Sequence, residues 1–300
     1  MNKIKLYIEE LRAPFFTASI IPVILGTAIA WKINGTINWK YFILALIAGM
    51  LMHAGTNVAN DYFDHKSGND EINKEYIRPF TGGSRMIQKN LLTPKEVLSE
   101  SLVCFALGCL IGLYLVYERG IFILWLGLIG IISGFFYTAP PFKWGNKGIG
   151  ELVVGLNFGV LMCLGAYYVQ TQSVSIIPVV ASIPVTLLIA LVLYVNEFPD
   201  YNADKAVGKN HLVVRLGREK AVIGYIVGIV LVYLSVIIGV ITNVIPGIAL
   251  LTLLTLPMAI KAIKTLRKYF AEPQKLVPAN ALTIILHLLI GLLLSLSYLV

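Results

Sequence analysis

Charge is scarce in this chain. Asp, Glu, Lys and Arg make up 13% of its 300 residues, about half the share found in an ordinary soluble domain. Apolar residues reach 57% and the mean hydropathy is +0.80, so these charges are too few to cover a water-soluble fold. The same figures exclude disorder and collagen-like repeats. Cysteine is sparse as well: Cys104, Cys109 and Cys163 lie in apolar runs without a CxxC pair. That excludes a disulfide scaffold and leaves them as small packing residues. HExxH and Cys/His zinc spacings are missing. The segment from Met1 to Arg12 is charged and amphipathic, and the apolar run after it is too long for a secretory h-region, so no signal peptide is read there.

Long apolar runs are what the chain does have. A spanning helix needs roughly 20 mostly apolar residues, and nine stretches qualify: about 14–33, 38–58, 97–117, 120–138, 150–170, 174–195, 219–241, 244–265 and 279–300. The expectation is an all-α polytopic membrane protein with nine transmembrane helices, forming one membrane-embedded domain over 1–300. Connections after the odd-numbered stretches are short and nearly uncharged, such as Thr171-Gln172-Ser173, whereas the others are longer and basic. With the N-terminus inside, the cytoplasmic side carries 21 of the 24 Lys and Arg residues, and the outer side only Lys32, Lys40 and Arg119. The positive-inside rule therefore sets a cytoplasmic N-terminus and an external C-terminus. The net charge of +8 reports topology, and no nucleic-acid partner is expected.

Acidic residues are equally uneven, with only Glu118 clearly on the outer side. One cluster follows the second stretch and reads Asn57-Val-Ala-Asn60-Asp61-Tyr-Phe-Asp64, then Gly68 and Asp70. The other follows the sixth and reads Asn196-Glu197-Phe-Pro199-Asp200-Tyr-Asn-Ala-Asp204. These stretches occupy the second place in each of two four-helix sets, which suggests two parallel pseudo-repeats with one helix added. Asn57, Asn60 and Asp64 share a helix face, as do Asn196, Asp200 and Asp204. Carboxylate and carboxamide oxygens in this pattern suit a hard cation such as Mg²⁺, which prefers a few protein oxygens together with substrate phosphate. Pro199 is expected to kink the second segment or break one of its backbone bonds. An ion-coupled transporter also places acids near helix breaks, but here both clusters lie on one side, with almost no ionisable residues opposite.

Cations accompany the acids. Arg78, the pair Gly82-Gly83 and Arg85 follow the first motif, Tyr137 precedes a loop containing Lys143, and Lys205, Lys209, His211 and Arg215 follow the second. Two cation sites ringed by Arg and Lys suit a diphosphate. Tyr137 is a cavity candidate because of the basic loop after it. Phe135-Phe136 and Tyr167-Tyr168 read as packing or an interfacial belt. His53 and His287, within apolar helices, read as packing, while His65 and His211 in the motif regions stay open between the two roles.

Asn-Asp-Tyr-Phe-Asp-x-x-x-Gly-x-Asp, Thr81-Gly-Gly-Ser-Arg85, Asn-xxx-Asp-xxx-Asp, Gly208-Lys209 and Val214-Arg-Leu-Gly217 together resemble the UbiA superfamily of intramembrane prenyltransferases, along nearly all nine helices. Asp70, the Thr81–Arg85 loop, Tyr137-Thr-Ala-Pro-Pro-Phe-Lys143 and Gly150-Glu151-Leu are most similar to the 1,4-dihydroxy-2-naphthoate prenyltransferases of menaquinone synthesis. The resemblance implies a polyprenyl diphosphate donor, an aromatic acceptor, a membrane-lipid setting and Mg²⁺. On that resemblance Asn60, Asp64 and Asp70 match the first metal motif and Asn196, Asp200 and Asp204 the second, and Asp61 joins the expected metal set by its place within the first motif. The resemblance also places Arg85, Lys143 and Lys209 at diphosphate contacts and Arg12 facing the cavity. With the residues read from the motifs themselves, the expected substrate-binding set is Arg12, Asn57, Asn60, Arg78, Arg85 and Lys209, and the expected catalytic set is Asp64, Asp200, Lys143 and Tyr137. The charge bias puts the active site on the cytoplasmic side, and the expected setting is the plasma membrane of a prokaryote. Other acceptors within the superfamily (4-hydroxybenzoate, homogentisate, haem or a lipid alcohol) remain the alternative. Pro199 stands where family members often carry a basic residue.

Overall fold

Residues 3–300 are described by a computed structural model in which every regular element is helical. A short helix, α1 (Lys3–Glu10), and a 3-10 turn holding Pro14 lead into α2 (Thr17–Asn34). Then come α3 (Trp39–Ser67), α4 (Asn69–Ile72), α5 (Pro94–Arg119) and α6 (Phe122–Phe135). A second series contains α7 (Gly150–Leu156), a π-helical turn (Asn157–Leu161), α8 (Met162–Thr171), α9 (Ile176–Ala206) and α10 (Leu212–Leu216). It closes with α11 (Arg218–Ile241), a 3-10 segment (Gly247–Thr255) continuing into α12 (Leu256–Tyr269), and α13 (Val277–Leu299).

Eight of these helical segments are long and apolar enough to cross a bilayer. The remaining expected span, 120–138, the fourth along the chain, is α6, of 14 residues, about 21 Å long at 1.5 Å per residue and short of the ~30 Å hydrocarbon layer. It ends early because the backbone beyond it is diverted into a loop closure: Trp144 N donates to Phe136 O at 3.2 Å and Gly145 N to Tyr137 O at 2.9 Å. Among the described residues, eight segments rather than nine therefore have full spanning length.

Two other boundaries move outward. The second and sixth apolar stretches end at 58 and 195 by hydropathy, yet α3 runs to Ser67 and α9 to Ala206. The acidic motifs thus sit on the last turns of long helices. Pro199 lies inside α9 without ending it. Gly68, at φ 77°, caps α3 in the left-handed conformation and turns the chain into α4, a geometry that favours glycine.

The core lies between α2, α9, α11 and α13, with Leu25, Leu188, Phe198, Tyr225 and Ile290 fully buried. Backbones approach closely where residues are small. A Cβ on Gly26 of α2 would stand 2.2 Å from the Cys163 carbonyl of α8. Buried hydroxyls pair across helices at two places: those of Tyr225 and Thr283 are 2.7 Å apart, and those of Tyr233 and Thr255 also 2.7 Å. Apolar side chains such as Leu110 and Leu254 face outward. These features make the chain an integral membrane protein.

Candidate active site

The ends of α3 and α9 meet. Asn57, Asn60 and Asp64 from α3 line a cavity of about 190 Å³, opposite Asn196, Asp200 and Asp204 from α9. Asn69, Asp70 and Asn73, just beyond α3, close a third side, and Arg12, Tyr137 and Lys209 complete it. The spacing of three and four residues puts each set on one helix face. Tertiary packing then turns the two faces toward one another.

Cross-links tie the motifs together. Asn73 Nδ2 donates to Asp200 Oδ1 at 2.7 Å, and Asn69 Nδ2 to Asp204 Oδ1 at 2.8 Å. Lys209 Nζ lies 3.2 Å from Asp64 Oδ2 and 3.6 Å from Asp204 Oδ1, bridging both motifs. Burial works against that ammonium, but Asp204 and Asp64 outweigh it and hold Lys209 well above its usual range. Asn60 Nδ2 donates to Asp64 Oδ2 at 2.8 Å, and Asn196 Oδ1 accepts from Asn280 of α13 at 2.7 Å. Burial pushes the Asp70 carboxyl up to about 8, helped by Asp64 and Asp61 and opposed by Arg85.

Several expected site residues stand outside this cavity. Asp61 turns away from it, accepting from Ser84 N at 2.8 Å and facing Arg12 Nη1 at 3.6 Å. Gly83, at φ 66°, permits that approach, because a Cβ there would lie 2.6 Å from Asp61 Oδ1. Arg85 is buried over the Tyr76 ring at 4.1 Å and donates to the carbonyls of Asp70 and Asn73. It therefore braces the segment that presents Asn69, Asp70 and Asn73. Arg78 donates to Ser84 O at 2.7 Å and braces the same loop. Lys143 lines a neighbouring cavity of about 240 Å³ that shares Asp64 and Lys209 with the first. His65 pairs with Glu71 at 2.6 Å on the exposed side.

Behind Asp204 lies a buried set that sequence reading missed. Ligand atoms of Glu151, Glu197 and His211 lie within 4.8 Å of one another. His211 Nε2 is 3.0 Å from Asp204 Oδ2, its Nδ1 is 3.2 Å from Glu197 Oε2, and Glu151 Oε1 accepts from Leu212 N at 2.8 Å. Burial disfavours charge on His211, but Glu197 and Asp204 overcome it and raise its pKa to about 10. No sequence spacing announces three residues from three segments. The available signals were Glu197 inside the second motif, His211 shortly after it, and Glu151 within the quoted resemblance.

The polar cavity adjoins a larger apolar one. That cavity, about 390 Å³, runs between α3, α5, α6 and the α7–α8 helix past Met52, Gly112, Ile131 and Met162. His53, Thr56, Tyr137, Val154 and Phe158 line both. Burial raises the Tyr137 phenol, which keeps it a neutral donor. A site with clustered oxygens and a lysine at one end and an apolar chamber at the other accommodates an amphiphile with a strongly anionic head.

Comparison with known proteins agrees with this geometry. The profile of the UbiA prenyltransferase family matches residues 19–287. The chain is 29% identical to 2-carboxy-1,4-naphthoquinone phytyltransferase of Synechocystis sp. over 98% of its length and 93% of the relative's. It is 32% identical to 1,4-dihydroxy-2-naphthoate octaprenyltransferase of Escherichia coli, over 74% of this chain and 71% of that one. A UbiA homolog from Archaeoglobus fulgidus, solved bound to DMAPP and Mg²⁺, superposes with a TM-score of 0.66 at 14% identity, covering 96% of this chain and 98% of that one. Digeranylgeranylglyceryl phosphate synthase superposes with a TM-score of 0.64 at 22% identity, covering 99% and 98%; both likenesses concern the fold. The chain belongs to the UbiA prenyltransferase family. It is a membrane-embedded prenyltransferase whose relatives include naphthoate prenyltransferases.

Proposed function

We propose that this prenyltransferase joins a polyprenyl chain to 1,4-dihydroxy-2-naphthoate, a step of menaquinone synthesis. We further propose that it acts as a single membrane-embedded domain over 1–300, in the plasma membrane of a prokaryote, with its acidic site on the cytoplasmic side. The observation that carries the reading is the union of two acidic helix ends in one polar cavity that continues into an apolar chamber. The names of the naphthoate relatives support the acceptor. The 21-to-3 bias of basic residues supports the orientation.

The residues present fit Mg²⁺. The donors lining the polar cavity are oxygens of Asn60, Asp64, Asp200 and Asp204, a hard set, and Asn69 Oδ1 and Asn73 Oδ1 are buried without a partner. Those residues, with Asp70, would hold the ion, which when bound would neutralise diphosphate charge. Lys209 and Arg12 would attract the diphosphate oxygens, and Lys143 would add positive potential from the neighbouring cavity. In the reaction the allylic C–O bond breaks and diphosphate keeps its electron pair, favoured by cations already in place. The apolar walls exclude water from the allylic cation, and the Tyr137 ring at the junction stabilises it through its π face. An electron-rich ring carbon forms the new C–C bond. The carboxylate carbon then departs as carbon dioxide and returns its electron pair to the ring.

The acceptor assignment is tested with purified protein, Mg²⁺ and a polyprenyl diphosphate, offering the naphthoate, 4-hydroxybenzoate, homogentisate and haem in parallel and identifying products by mass. The decarboxylated naphthoate adduct should dominate. Preferential prenylation of another acceptor, with the naphthoate inert, would reject the acceptor and leave the family membership intact.

A further inference from the structure

Sequence reading treats His53 as a packing residue, but its surroundings are those of a binding group. It lies on α3 four residues before Asn57, on the motif's face of the helix. Its ring is held from two sides, with centroids 5.5 Å from Phe16 and 4.5 Å from Phe158. Phe158 belongs to the π-helical turn Asn157–Leu161, the place where the Gly150–Thr171 helix departs from α geometry; such turns often accompany functional sites. His53 and Phe158 both line the junction between the polar and apolar cavities.

The tautomer of His53 follows from its partner. Ser19 Oγ lies 2.8 Å from Nδ1, and Ser19 is fully buried. This serine hydroxyl has no other hydrogen-bond partner among the described residues. A buried hydroxyl left without an acceptor is costly, so Ser19 donates to Nδ1 and the ring proton resides on Nε2. Among the described residues His53 Nε2 bonds no protein group, yet it is not among the sealed, partnerless atoms, whereas Nε2 of His287 is. It opens on the cavity. The Thr56 hydroxyl nearby is committed to Met52 O at 2.9 Å. The junction thus offers two free donors, Tyr137 and His53.

Distance decides what His53 can reach. Asp64 lies eleven residues further along α3, about 16 Å along the axis at 1.5 Å per residue, so His53 stands at the end of the polar cavity away from Asp64, where it joins the apolar chamber. A group bonded to His53 therefore lies on the side of the site where the acceptor ring must meet the allylic carbon. We infer that His53 is an acceptor-binding residue: its Nε2–H donates to a ring oxygen of the aromatic acceptor, Ser19 fixes the tautomer, and Phe16 and Phe158 hold the imidazole in place. This rests on the proposed prenylation of an aromatic ring. As the ring attacks, electron density leaves that oxygen for the new C–C bond. A donor there does not favour the transition state over the bound acceptor, so its effect is on binding and appears in KM.

The test uses the full chain in liposomes and the variants His53→Phe, His53→Gln and Ser19→Ala. Acceptor kinetics are measured at saturating polyprenyl diphosphate and Mg²⁺, and polyprenyl diphosphate affinity is measured separately. His53→Phe should raise the KM for 1,4-dihydroxy-2-naphthoate about tenfold, the scale of one hydrogen bond, with kcat and polyprenyl diphosphate affinity within about twofold. His53→Gln, which keeps a donor, should recover most of the loss, and Ser19→Ala should raise KM severalfold. Inhibition constants of 1-hydroxy- and 4-hydroxy-2-naphthoate, each lacking one oxygen, complete a cycle. The analogue without the contacted oxygen should be insensitive to His53→Phe. An unchanged KM, a loss confined to polyprenyl diphosphate affinity, or equal losses with both analogues would overturn the inference. If His53→Phe does not fold, Ser19→Ala decides, and an unchanged acceptor KM there overturns it. Wild-type failure with the naphthoate refutes the acceptor reading instead. The same variants are then assayed with whichever aromatic acceptor the chain does use, and failure with every aromatic acceptor sinks both.

Discussion

Replacing Lys209 with methionine removes a charge while keeping most of the side-chain volume. The ammonium lies 3.2 Å from Asp64 and 3.6 Å from Asp204. At an effective dielectric constant near 20, each contact carries a Coulomb attraction of about 5 kcal/mol. Desolvation offsets much of this, and removing one partner of a buried pair typically costs about 3–5 kcal/mol. Lys209→Met should therefore be several kcal/mol less stable in Mg²⁺-free detergent. Saturating Mg²⁺ should raise the variant's unfolding temperature more than that of the wild type, because the cation relieves carboxylates that the lysine no longer screens. Catalysis should fall as well. A lost contact to developing leaving-group charge costs about 2.7 kcal/mol, on the order of a hundredfold in rate. Thermal unfolding with and without Mg²⁺, together with single-turnover prenyl transfer, measures both effects. A variant as stable as wild type without Mg²⁺ and within threefold of its rate would refute the bridging role.

Asp64→Asn and Asp200→Asn should each slow single-turnover transfer about a hundredfold, and the double variant should lose less than the product of the two; fully additive losses would speak against one shared clamp. Gly26→Ala would press a methyl group to 2.2 Å from the Cys163 carbonyl and should destabilise the α2–α8 contact by about 1–3 kcal/mol, read as a lower unfolding temperature; an unchanged temperature contradicts the close approach. His211, at about 10 against an ordinary 6.5, stabilises the fold fully below pH 6.5 and progressively less as pH rises through 10. The stability difference between wild type and His211→Gln should shrink accordingly with pH, and a difference that grows would contradict the charged pairing. In a background lacking native cysteines, Lys89→Cys should react with a membrane-impermeant reagent only from the cytoplasm and Ser173→Cys only from outside; the reverse pattern would invert the topology.

Helical periodicity made part of the site legible. Asn57, Asn60 and Asp64 read correctly as one face, and the second motif repeated their spacing. The same rule bears on Asp61: one residue after Asn60 it points about 100° around the helix, toward Ser84 and Arg12. Sequence proximity had grouped it with the metal set. Hydropathy placed the apolar spans but ended α3 and α9 too soon, because it registers acids as a boundary although carboxylates that face a cavity do not interrupt a helix. Arg85 shows what a sequence cannot reveal. Its positive charge beside an acidic motif suggests a diphosphate contact; in the structure its backbone is left-handed at φ 66° and its guanidinium donates to the carbonyls of Asp70 and Asn73. Glu151, Glu197 and His211 converge from three segments, so their meeting depends wholly on tertiary packing. The tautomer of His53 likewise depends on Ser19, 34 residues away.

The most direct test counts what each turnover releases. Purified protein in liposomes is supplied with Mg²⁺, a polyprenyl diphosphate and 1,4-dihydroxy-2-naphthoate labelled in its carboxyl carbon, and labelled carbon dioxide, diphosphate and prenylated product are quantified together. The proposed reaction predicts all three in equal amounts, with none formed when the polyprenyl diphosphate is omitted. Diphosphate release without labelled carbon dioxide, or a prenylated product that retains the carboxyl label, would contradict it.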